Sequence, residues 1–265
     1  MTRSPLIALM LASAVAASAC SDETTGKRVV LQTIAATDLA ADHTFVSNLG
    51  WTVTLTRGQV ATGPFYYFQG PPAVIEMADA SRRRGWLRKA VDWLSPIGTA
   101  HAHPGHYVPG RAMGQMLEPG ALDLMAGRTA FPDGEGITGI YRSGTFSFSD
   151  PGAGIVAEVA GVAVKGEETV NFHVAATLGD VLANAKDAQI VGSTFVETQV
   201  TGDGLVTATV HPAIWFTLVD FKGLPAGTPE GPTELAPGTV PHIAFALGLA
   251  QIAAYSFEFT RGEEP

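Results

Sequence analysis

Residues 50–56 read GWTVTLT, with Trp51, Val53 and Leu55 alternating against threonine. A two-residue period puts all three apolar side chains on one face of an extended chain, which a half-buried sheet satisfies and a helix does not. Strand-like runs set between Gly, Pro and Asp turns recur at 27–36 (KRVVLQTIAA), 59–69 (QVATGPFYYFQ), 137–148 (ITGIYRSGTFSF) and 154–164 (GIVAEVAGVAV). Further runs lie at 168–177, 194–200, 204–210 and 252–260 (IAAYSFEFT). With 30 Gly, 17 Pro and no alternation of strand with long helix, the chain is expected to be all-β. The architecture predicted is an antiparallel β-sandwich with a short helical insertion and long Gly/Pro-rich loops. Arg57-Gly58 separates two strand arms, and Gly63-Pro64 predicts a bulge or bend in the second.

Three segments depart from the strand pattern. Residues 81–94, SRRRGWLRKAVDWL, place Trp86, Leu87, Ala90, Val91 and Leu94 at helical spacing, with five basic residues on and before that turn. Such a basic amphipathic helix can lie on an anionic membrane surface, but the favoured reading is an insertion whose apolar face packs on the sandwich while its arginines stay in water. The apolar stretch 242–254 (HIAFALGLAQIAA) fits a buried helix or a strand and is too short to cross a bilayer, which takes about 20 apolar residues. Residues 222–241 read as a Pro/Gly-rich loop.

The first 20 residues, MTRSPLIALMLASAVAASAC, have a basic end, a short apolar run and small residues before Cys20. That is the layout of an export signal. Ala17-Ser18-Ala19-Cys20 resembles a bacterial lipobox, with Ala17 where Leu is usual, and implies lipidation of Cys20. The expected organisation is a signal peptide at 1–19, a linker at 20–26 and one domain at 27–265. Within that domain, 81–117 form an insertion carrying the helix and a His-rich loop. The mature protein would sit in the cell envelope, periplasmic or on the outer surface, held to a membrane by its N-terminal lipid.

Cys20 is the only cysteine, so no disulfide within the chain can form and a core must supply stability. The formal net charge is −9 and Arg3 is the leader's only charge, so the mature chain carries −10. Such an acidic chain lacks the basic footprint that nucleic acid requires.

The densest chemistry lies at 100–107, AHAHPGHY, where His101, His103 and His106 fall within six positions. An extended backbone points His101 and His103 to one side. Pro104-Gly105 suits the centre of a type II turn, which brings residues 103 and 106 within about 7 Å. All three imidazoles can therefore converge on one ion, and neutral imidazole is the commonest metal ligand. Met113 and Met116 follow in RAMGQM, and thioethers select Cu(I). The implied metal is copper, with zinc as the competitor. Asp123 is a further oxygen candidate and Met125 a weaker sulfur one.

The string HAHPGH is similar to the H-x-H-x-D-H motif of metallo-β-lactamase-like hydrolases, yet Gly105 stands where that family has Asp. Cupins follow their H-x-H pair with a glutamate, and here Tyr107 and Val108 occupy those positions. No phosphate loop, nucleophile elbow, haem motif or catalytic triad is visible, so an enzyme is not the favoured reading. His173 sits inside a strand pattern, His211 ends a strand before Pro212, and His43 and His242 stand alone.

The exported β-rich pattern, the early strand at Gly50-Trp51 and the aromatic ending Tyr255-Ser256-Phe257-Glu258-Phe259 together resemble the periplasmic MbnP/CorA-like copper-associated proteins. Members of that group often carry four cysteines and in part a Trp-x-His copper site, neither of which this chain has. The resemblance implies a β fold and copper handling without assigning ligands. Two function classes follow. One is a lipid-anchored protein that takes up copper or zinc and passes it to an envelope protein partner. The other is a structural or interaction lipoprotein without metal.

Overall fold

The computed structural model describes residues 26–73, 108–150, 152, 154–183 and 189–262. The expected leader at 1–19, Cys20 and the predicted helix at 81–94 lie outside them. The fold is all-β and sandwich-like, built on thirteen strands of one mixed sheet. In chain order these begin with β1 (Arg28–Thr37), β2 (Thr44–Val46), β3 (Thr52–Phe68), β4 (Ala112–Met116), β5 (Gly120–Asp123) and β6 (Arg128–Ile137). Next come β7 (Gly139–Phe148), β8 (Ile155–Lys165), β9 (Glu168–Thr177), β10 (Gln189–Val200) and β11 (Gly204–Val210). The last are β12 (Thr233–Glu234) and β13 (Tyr255–Arg261).

The two arms expected on either side of Arg57-Gly58 are one 17-residue strand, β3. The register against β8 slips between Leu55 and Arg57, so the chain bulges where a break between two arms was expected. Just beyond the slip, Gly58 leaves no room for a side chain beside Leu124. A second slip, between Thr62 and Phe65 against β7, falls at Gly63-Pro64, where a bulge was expected.

These slips let β3 change partners along its length within the one sheet. Its C-terminal half pairs with β4 on one side and β7 on the other. From β4 the pairing runs through β6, β1, β11, β13 and β10 back to β7, closing a ring of eight strands. A ring of about eight strands has an interior just wide enough for side chains to fill. Here aromatic rings fill it: Phe65 meets Phe257 across the interior at 5.8 Å, and Tyr67 meets Phe195 at 5.7 Å. The N-terminal half of β3 leaves the ring to pair with β8, followed by β9 and β12.

The sheet is not purely antiparallel, which corrects the expectation. β1 runs parallel to β11, β10 to β13, and β9 to β12. Alternation reports which face of a strand is buried, not the direction of its neighbour, and these partners are far apart in sequence.

Among the described residues there are three short helices, α1 (Leu178–Leu182), α2 (Pro212–Trp215) and α3 (Val240–Leu249). The stretch 242–254, open between helix and strand from sequence, is α3 followed by a 3-10 turn, Ile252–Ala254. A second aromatic core forms beneath these helices. Trp51 packs on Phe221 at 5.4 Å, Phe172 on Phe216 at 5.5 Å, and Phe216 on Phe245 at 5.4 Å.

Candidate functional site

The predicted metal segment is attached at a closed neck between β3 and β4. Gln69 N–H donates to Arg111 O at 3.0 Å and Gly70 N–H to Pro109 O at 2.8 Å. The Ser143 hydroxyl from β7 donates to Gly70 O at 2.8 Å. Gly70 lies so close to Pro109 that no side chain fits between them, and Gly110 takes a φ of +73° that favours glycine. The chain therefore departs and returns at one point on the ring. His101, His103 and His106 lie outside the described residues.

The structure does place Met113 and Met116, the sulfur part of the predicted ligand set. Both face the core, at 4% and 1% exposure. Met113 packs against Gly139, and its carbonyl accepts the Tyr141 hydroxyl at 2.7 Å. Both thioethers fill space among apolar side chains, Met113 beneath a surface groove that it helps to line. Met125 is packed at the edge of the core. Asp123 forms a turn, its carboxylate accepting the Met125 N–H at 2.8 Å.

Beside the neck a groove of about 550 Å³ crosses β1, β4 and β6, with Val30, Tyr66, Gln115, Glu135 and Asp203 among its lining. Below it, burial pushes the Tyr141 phenol up to about 12. That hydroxyl is nevertheless satisfied, since it also accepts the Ile137 N–H at 3.2 Å. Burial raises Tyr67 still further. Its hydroxyl lies beside Thr33 but has no partner in hydrogen-bonding geometry.

The isolated histidines are more connected than the sequence suggests. His173 bridges two carboxylates, Nδ1 at 2.7 Å from Glu234 and Nε2 at 3.0 Å from Glu158, and Glu158 also pairs with Arg57. The two carboxylates occupy opposite nitrogens of the ring, so they do not converge on a common point. Buried His242 meets Ala175 O at 3.1 Å. His211 lies between Asp38 at 2.8 Å and Ser256 at 2.9 Å, an arrangement the sequence did not reveal. Its only advance signal was His211-Pro212 at a strand end. Among the described residues, no group of three or more His, Cys, Asp or Glu side chains is set to hold a metal ion.

Comparison with protein-family models, curated proteins and solved structures finds no match to this chain.

Proposed function

We propose that this is an exported, lipid-anchored metal-binding protein that handles copper at the cell envelope through His101, His103 and His106. The observation that carries the reading is the neck at Gln69–Gly70 and Pro109–Arg111, which fixes both ends of the His-bearing stretch to one point of a rigid ring. An ion site on such a stretch starts from a small, defined base. With Met113 and Met116 in the core, the ligand set proposed is imidazole. At a nitrogen site copper binds more tightly than zinc, so copper remains the favoured metal. The lipobox-like Ala17–Cys20 and the resemblance to MbnP/CorA-like proteins support the envelope setting and an envelope partner that receives the metal.

The groove beside the neck favours a second reading, a metal-free docking domain, because concave surfaces of this size suit ligands or partner segments. Metal content of tag-free protein purified from the envelope separates the two. Near-stoichiometric copper supports the first reading, and protein without metal that also takes up none on addition supports the second.

A further inference from the structure

We propose that Ser256 is a nucleophile, activated by His211 and positioned by Asp38, that accepts acyl groups from small activated esters. This inference is independent of the metal reading. The three residues come from neighbouring strands at one end of the ring: Asp38 just after β1, His211 just after β11, and Ser256 within β13. Asp38 O to His211 Nδ1 is 2.8 Å, and His211 Nε2 to Ser256 Oγ is 2.9 Å. A carboxylate can only accept, so Nδ1 carries the hydrogen. In the neutral ring Nε2 is then bare and accepts from the Ser256 hydroxyl. Nucleophile, base and orienting carboxylate stand in the order that acyl transfer requires.

The backbone makes the arrangement rigid. Ser256 pairs with Thr209 on one side and Thr194 on the other. Tyr255 and Phe257 point into the core, which turns the hydroxyl of Ser256 outward. Pro212 disfavours helical backbone at His211, whose φ of −110° and ψ of 82° lie outside the helical region. The His211 N–H donates to Ala254 O at 2.9 Å, tying the base to the chain that leads into the nucleophile. The His211 side chain is 24% exposed, open enough for a small reagent to reach.

In the reaction, Ser256 Oγ attacks the ester carbonyl while its proton passes to His211 Nε2. The carbonyl–alkoxy bond breaks, and the leaving alcohol takes that proton. Water then attacks the acyl-serine, giving a proton to His211, and the carboxylic acid departs as Ser256 recovers its hydrogen. The site lies on the outer wall and not in the groove over β1, β4 and β6. That exposure restricts it to esters whose leaving group is already a weak base.

The test treats the full chain with a fluorophosphonate probe, maps the adduct by mass spectrometry, and follows p-nitrophenyl acetate in parallel. One adduct on Ser256 is expected, with a p-nitrophenolate burst stoichiometric with protein. His211→Ala should slow labelling by about a hundredfold or more, the typical contribution of a positioned base. Asp38→Asn should slow it about tenfold or more with the melting temperature held, which a purely structural tie between strands would not do. If His211→Ala fails to fold, His211→Gln takes its place. Absence of a Ser256 adduct, or equal labelling rates in wild type and the two variants, overturns the proposal.

Discussion

Two tyrosines inside the same ring make opposite forecasts. The Tyr67 hydroxyl is buried without a hydrogen-bond partner, whereas that of Tyr141 serves the backbone at both Met113 and Ile137. Replacing an unsatisfied buried hydroxyl is close to neutral, while orphaning buried backbone groups costs about 1–3 kcal/mol. Tyr67→Phe should therefore leave the urea midpoint unchanged or raised, and Tyr141→Phe should lower it. Equal losses in both would contradict the hydrogen-bond assignment. Asp220 provides a pH dependence. The Lys222 N–H, with help from the Trp51 indole, holds its carboxyl below the ordinary value of 3.8. A lowered carboxyl stabilises the fold above the unfolded value, and that contribution is lost as pH falls through the lower folded one. Asp220→Asn should thus be less stable than wild type at neutral pH, the gap closing in strong acid. A gap that widens on acidification would refute this.

At the level of elements, the strands with clean alternation were legible: β1, β8, β9 and β11 lie within a residue or so of where the two-residue period puts them. β4 and β6 were not, because Gly114, Gly134 and Gly136 interrupt the pattern where the walls approach closely. Gly114 and Gly136 leave no room for a side chain over Leu31. The fusion of two arms into β3 was hidden because Arg57-Gly58 has the same composition in a bulge as in a turn. Helix α3 was ambiguous because it is apolar on nearly every face, exposed Val240 and Ile243 included, which removes the periodic signal. Its packing yields a sharp test. Gly248 rests on the backbone of Trp215 in α2, where any side chain would collide with the carbonyl. Gly248→Ala should cost about 1–3 kcal/mol through overpacking, against the small gain alanine brings to an open helix. Thermal melting decides the sign, and an unchanged or higher melting temperature would mean the two helices do not pack so closely.

At the scale of the whole molecule, closure removes sheet edges within the ring of described strands. The ring consumes the edges of β3 and β7, and β12 is only two residues long. The pairs joining β1 to β11 and β10 to β13 were illegible because nothing local encodes which distant strand arrives alongside. The Asp38–His211–Ser256 arrangement was hidden for the same reason: it is created by that register. The candidate metal ligands, by contrast, are local in sequence and needed no fold to be noticed. The buried methionines show the limit of that approach, since proximity along the chain says nothing about which way a strand turns its side chains. The envelope setting makes its own forecast. Cys20→Ala should release the mature protein from membranes into the soluble envelope fraction, and a variant that still pellets with membranes would count against a lipid on Cys20.

The central claim, one ion held by three imidazoles, is tested most directly by titrating copper and zinc into the full mature chain and into a His101→Ala, His103→Ala, His106→Ala variant. Wild type should bind one copper ion more tightly than zinc, with affinity falling below about pH 6.5 as the imidazoles protonate. The triple variant should lose that site, while Met113→Leu, altering only a core side chain, should retain it. Equal, weak binding by wild type and triple variant would contradict the account.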